Sequence, residues 1–497
     1  MMGISRRNFL QGTGAAALGL SVGTGIKWAG AKPLSRSAET NPLIHVLNRV
    51  TFGPRPQDVL KINELGIEGY IDWQLNHEQI PDPLMEALLE EWPPLTASLP
   101  DLNAMAKDDY GYVLRAALWN RVYRALFSER QLYEMMVEFW TDHFNVAIES
   151  LLTDKMIDDR EVIRKHALGN FRDLLLASAQ SPAMLMYLDN TLSTKEHPNE
   201  NYAREVMELH TLGVDGGYTE NDVKELARAL TGWQTKWGDQ AQFAFNGDDH
   251  DTGAKLILGR EFPAGRGVEE GLQVLDFLAL HPMTAKFICT KLCRRFVSDV
   301  PPASLVESAA AVFLSSEGDI KATMRHILLS AEFMASSWQK FRRPLEFVAA
   351  VLRTMQNGLV IKDEDAIMWT LEPMGQLPYY WGPPNGYPDT TADWLNTNGL
   401  MKRWAFALNM PLASLGYWDG ARLNLNKVIP EVEKISELVD SVTALTIGGA
   451  IDPVDRDQLI ALVSDGQGDG KVTRAIRQDK LPTLLGLLMA SPYFQWR

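Results

Sequence analysis

Cysteine is nearly absent from this chain: 497 residues carry two, Cys289 and Cys293. They stand four apart in what reads as a helix, and a bridge within one helical turn is geometrically poor. Disulfides therefore carry none of the stability, which must come from the core. Two small thiols at that spacing suit the apolar face of residues 284–297; half of a metal site is the other reading. Basic residues are also short, with 48 Lys and Arg against 63 Asp and Glu and a formal net charge of −15. That deficit speaks against nucleic acid and anionic membrane as partners, since both need basic surface. No apolar run is long enough to predict an integral membrane span. No nucleophile elbow, phosphate loop, dinucleotide fingerprint or haem-attachment Cys-x-x-Cys-His occurs. Residues 465–470 look like a calcium loop, but Ile476 stands where the bidentate Glu belongs.

What is present begins with Ser5-Arg6-Arg7-Asn8-Phe9-Leu10, followed by a short, glycine-rich apolar stretch over residues 13–26. This resembles a twin-arginine signal peptide, and Ala29-Gly30-Ala31 supplies the small-x-small cleavage pattern. The reading is a leader over 1–31, a linker over 32–40, and a mature chain starting at Lys32. It implies passage through the twin-arginine translocation machinery, already folded, to a periplasmic or otherwise exported location. Folded export suits a protein that loads a cofactor before crossing or carries a partner with it.

Beyond residue 40, apolar residues recur at helical spacing through most of the chain. The pattern predicts helices over 42–51, 56–76, 112–143 with a break near Ser128, 161–180, 200–212, 221–233, 270–280, 283–297, 305–316, 320–334 and 344–355. Four more are expected over 431–445, 453–463, 472–477 and 481–490. Residues 240–245 and 255–258 look strand-like, and 246–253 reads as the polar tip of a β-hairpin joining them. Residues 373–393 hold five prolines and three glycines, with aromatics too costly to leave in water, and so predict a structured loop. The fold class is mainly α, a large multi-helix bundle-like domain with one small β-hairpin. An N-terminal part (41–265) and a C-terminal part (266–497) are expected to pack as one unit.

Several ordered motifs carry a resemblance. They are Leu47-Asn48-Arg49-Val50-Thr51-Phe52-Gly53-Pro54, then Phe139-Trp140-Thr141-Asp142-His143-Phe144-Asn145-Val146. Next come Asn199-Glu200-Asn201-Tyr202-Ala203-Arg204-Glu205 with Met207-Glu208-Leu209-His210-Thr211-Leu212-Gly213, and finally His250-Asp251-Thr252-Gly253. Together they resemble the bacterial "domain of unknown function 1800" family. The resemblance implies an exported, mostly helical protein, often encoded beside a second exported family that is distantly sulfatase-like. It carries over no catalytic assignment.

The chemistry is therefore argued from side chains. On a helix over 132–146, His143 extends the stripe of Leu132, Met136, Phe139 and Trp140, with Glu134, Glu138 and Asp142 beside it. Over 200–212, His210 shares a face with Ala203, Val206 and Met207, flanked by Arg204, Glu205 and Glu208. His250 sits among Asp248, Asp249 and Asp251. Three imidazoles with carboxylates are what a divalent metal needs. The expected site has His143, His210 and His250 as ligands, completed by Asp142, Glu205 and Asp251. Glu208 would be the general base on a metal-bound water of a hydrolase. The Glu-x-x-His pairs of helical carboxylate sites are absent. The alternative reads each histidine as a buried hydrogen-bonded group locking helices in a non-catalytic partner of a sulfatase-like protein. Arg204 would clamp Asp142 or Glu208, or hold an anionic substrate with Asn201 and Trp233 nearby. A third reading has the aromatics of 379–394, Trp233 and Trp237 stacking on sugar rings, with Glu205 and Glu208 as acid and base. N-terminal sequencing of the exported protein should find Lys32 as its first residue, and retention of residues 1–31 would refute the leader assignment.

Overall fold

Helix after helix starts where capping chemistry allows. In Pro42–Val50 the Asn41 side chain accepts from Leu43 N at 2.9 Å and proline takes the first turn. Glu220–Ala229 begins with a Thr219/Asp222 capping box. The computed structural model describes residues 41–236, 242–416 and 420–497. They form a mainly α fold whose principal core runs from Ile44 to Phe494 and draws residues from both halves of the chain. Among them no helix is long and apolar enough to cross a membrane.

Two helices lie at the centre. Pro344–Thr354 is buried at every position, and Gln131–His143 at nearly every one, including Glu134 and Glu138. The break predicted near Ser128 is present, between Tyr110–Phe127 and Gln131–His143. Elsewhere periodicity overran the boundaries. The helix expected over 161–180 is two pieces, because Gly169 and the capping Asn170 interrupt it before Phe171–Ala179. That expected over 320–334 divides at Ser330, whose hydroxyl caps Ala331–Met334. The short helices Pro83–Glu91 and Leu99–Asp108 carried too little pattern to be seen.

The β structure needs the larger correction. Three two-stranded antiparallel ribbons are present among the described residues: β1 (Trp233–Lys236) with β2 (Gln242–Phe245), β3 (Lys255–Ile257) with β4 (Arg260–Phe262), and β5 (Leu359–Ile361) with β6 (Ala421–Leu423). The two segments expected to pair with each other each take a different partner. Residues 247–249 form a tight turn capped by Asn246 rather than a hairpin tip. Leu258 and Gly259, both at positive φ (49° and 74°), make the two-residue turn joining β3 to β4. That conformation suits a tight hairpin, and a leucine there conceals it from a reading of turn residues. The helix predicted over 221–233 ends at Ala229, leaving Trp233 to open β1.

The proline-rich loop of 373–393 is structured as expected: Tyr379 and Tyr387 are buried, and Asn145 Nδ2 donates to the carbonyls of Trp381 and Pro383. It meets the central helix at Gly386, φ 68°, where a Cβ would lie 2.0 Å from the Asp142 carbonyl oxygen. Only glycine fits there. Gly386→Ala should lower the unfolding free energy by about 2 kcal/mol or more, measured by denaturant unfolding; an unchanged midpoint would mean the loop is not held against the helix.

Candidate functional site

His143 ends the central helix Gln131–His143, and its ring is wedged between two other parts of the chain. Nε2 donates to the His210 carbonyl at 3.1 Å, and Lys291 Nζ donates to Nδ1 at 2.8 Å. The backbone over Val206–Thr211 is a π-helical turn continuing Glu200–Glu205, a widening often found at functional sites. It sets the His210 ring 6.1 Å from that of His143, between Phe144 and Tyr202. Both histidines are buried; burial and the Lys291 charge hold His210 down to about 3 and His143 well below the usual imidazole range. Both are neutral at physiological pH. Burial also lowers Lys291 to about 8, opposed by Asp389 and Asp142.

Behind this pair lies a buried ionic hub. Arg343 holds Asp142 at 2.7 Å and Asp389 at 3.3 Å. Arg295 bonds Glu138 at 3.0 Å, Glu346 at 2.9 Å and Asp389 at 2.9 Å, and Arg497 adds a 2.7 Å contact to Glu346. Asp142 is thus consumed by Arg343 rather than offered to a metal.

A family model described as "Protein of unknown function (DUF1800)" matches residues 45–496. The chain belongs to this family. No curated protein and no solved structure matches it.

In this DUF1800 protein the third histidine belongs to another network. His250 Nδ1 donates to the Thr231 carbonyl at 2.9 Å, and Nε2 lies 3.3 Å from Glu270, which also pairs with Lys255. Asp251 is forked by Arg228 at 2.8 and 3.0 Å. The expected ligands therefore divide among separate polar networks. Among the described residues no group of three or more His, Cys, Asp or Glu is placed to hold a metal ion. Cys289 and Cys293 are buried free thiols on the apolar face of their helix.

The remaining candidates lie nearer the surface. Arg204 is a clamp, but on Glu220 (2.8 and 2.7 Å) and Glu200 (3.2 Å) rather than on Asp142 or Glu208. Asn201 is exposed and bonds the Leu188 carbonyl. Glu205 is half-buried; burial and the nearby Glu208 raise it, opposed by Arg204. Trp233 is fully buried against Phe243, so it offers no face to a ligand. Trp237 lies outside the described residues.

Sequence reasoning missed Lys291, Arg295, Arg343, Glu346 and Asp389. A signal existed for two of them. In Pro282–Phe296, Lys291 and Arg295 stand three and seven after the buried Ile288, on the same apolar stripe. A cation there needs a buried partner.

Burial alone would raise Glu346, but Arg497, Arg295 and Arg343 hold it down to about 2 from its ordinary 4.5. Its stabilising contribution is therefore whole above about pH 4.5 and lost as pH falls toward 2. Glu346→Gln should cost about 3 kcal/mol or more near neutral pH. In urea unfolding followed against pH, it should also flatten the loss of stability between pH 4.5 and 2; a wild-type slope would contradict this role for the carboxylate.

Proposed function

We propose that this chain is an exported, non-catalytic partner protein of the bacterial envelope that works beside a sulfatase-like enzyme. The observation that carries the reading is how the side chains expected to do chemistry are engaged: Asp142 by Arg343, Asp251 by Arg228, His143 by Lys291 and the His210 carbonyl, His250 by Thr231 and Glu270. Groups so engaged serve as polar locks between elements. Export is supported by the leader sequence, and the choice of partner by the family resemblance.

A metal-dependent hydrolase is the second reading. It is favoured by His210, whose two ring nitrogens have no hydrogen-bond partner although the residue is buried. The Glu205 and Glu208 carboxylates lie close by in sequence, and burial together with the Glu208 charge raises Glu205.

Co-purification of the full chain from its native host, with metal analysis, separates the two. The partner reading expects a sulfatase-like protein in comparable amount. It also expects His143→Ala and His210→Ala to lower stability by about 1–3 kcal/mol while leaving the partner's rate unchanged. A chain recovered alone, with a hydrolytic activity and a divalent metal both lost in His210→Ala, would replace it with the hydrolase.

A further inference from the structure

The helix Thr397–Asn409 is apolar on two sides. Its inner face packs Phe406 and Ala407 into the core, with Arg403 buried beside them. On a surface helix the opposite stripe is ordinarily polar. Here it reads Met401, Trp404 and Ala405, with the half-buried Leu408 completing the three-and-four spacing. Met401 is 60% exposed and Trp404 45%. A helix apolar on both sides is ordinarily a buried one.

Neighbouring elements extend this face. The short helix Asp365–Leu371 carries Trp369, 69% exposed, four residues before Pro373. The Pro373 carbonyl accepts from Asn398 Nδ2 at 3.4 Å, in the first turn of Thr397–Asn409. Leu395, just before that helix, and Leu415, shortly after it, are exposed as well. The β5–β6 ribbon is tied to the start of Asp365–Leu371, since the Gly420 carbonyl accepts from Lys362 N and Asp363 N. The ribbon turns Val360 outward beside its cross-strand partner Arg422. Of fourteen large apolar side chains exposed among the described residues, six fall here, including both tryptophans. The other eight are scattered from Leu60 to Val454, so apolar surface is gathered on this one face. The six leave about 600 Å² of it in water, the upper end of what a monomer exposes in one patch. The apolar share of one side of a standard homodimer interface is about 500 Å².

We propose that this face is a homodimer interface, covered by the same face of a second copy of the chain. The rim charges select that occupant. Lys362 and Arg422 supply two cations, and Asp363 and Glu372 two carboxylates; all four are exposed, and none makes an ion pair among the described residues. The chain as a whole carries a formal net charge of −15, so a partner fitted to its general surface would be basic. A rim balanced in sign fits itself instead. A twofold contact sets the same patch on both sides, so the cations of each copy can face the carboxylates of the other. Trp369 and Trp404 are the anchors, the residue type that most often dominates such contacts. The interface goes beyond the partner reading and does not rest on it.

Sedimentation equilibrium of the full chain, as its native host matures it, tests this. The mass should be that of a dimer at about 10 μM, with a dissociation constant of about 1 μM or tighter. Trp404→Glu and Trp369→Glu each put a charge into the face while leaving the buried side of their helices intact. Each should weaken the dimer about a hundredfold or more and keep the helical circular dichroism signal of the wild type. Leu60→Glu, at a leucine 72% exposed on Pro56–Leu75, is the control and should leave the mass unchanged. A chain that stays monomeric at about 100 μM, or that associates only with a different protein, would overturn the proposal. Survival of the dimer in both tryptophan variants, once folded, would overturn it as well.

Discussion

Glu138, Asp142, Glu346 and Asp389 are held by Arg295, Arg343 and Arg497 at a point where five parts of the chain meet. Two carboxylates come from Gln131–His143, one from the first turn of Pro344–Thr354 and one from the proline-rich loop; the cations come from Pro282–Phe296 and from positions 343 and 497. Ions this deep are costly to desolvate, and a pair repays that cost only when every lone pair has a donor. Here several do: Gln376 donates to the second Glu138 oxygen at 3.0 Å, and Arg343 N donates to Glu346 at 3.0 Å. The hub therefore specifies which segments meet more than it adds net stability. It also fixes the end of the central helix, and with it the direction in which His143 points.

This constraint explains what could be read from the chain and what could not. The helices bearing His143 and His210 were legible because three-and-four spacing is a local property, and the two rings do come together. The partner of Asp142 was not legible, because Arg343 lies 201 residues away and nothing near either residue marks the other. Arg204 was a nearer candidate in the same motifs, yet Glu220 sits 16 residues on and captures it on the surface. The π turns escaped for a different reason. One extra residue in a turn leaves the apolar periodicity almost intact while rotating every residue beyond it, so a continuous stripe over 200–212 concealed the widening that aims His210.

The strands failed through turn chemistry and not through strand propensity. Residues 242–245 and 255–257 are strands, as their composition suggests. Pairing was inferred from the polar run between them, whereas each finds a closer neighbour: β2 returns onto β1, and β4 follows β3 after only Leu258 and Gly259. A leucine at φ 49° is held there by tertiary context, since Leu258 N donates to the Asp222 carboxylate at 2.7 Å.

Buried charge is not confined to the hub. Among the described residues ten arginines and three lysines are buried against nine carboxylates, although the whole chain is acidic. Arginine does not shed its proton to relieve burial. The excess is met by backbone carbonyls, as where Arg49 bonds those of Phe296 and Val297 and Arg353 that of Leu126. The surface is therefore more acidic than composition alone suggests. The proline-rich loop reaches beyond the hub: Asp389 lies within it, and the Tyr379 ring stands 5.5 Å from the Arg121 guanidinium. Arg121 in turn bonds Thr141, one residue before Asp142. The loop is thus tied to the end of the central helix both through the hub and through Arg121, so it cannot shift without disturbing both contacts.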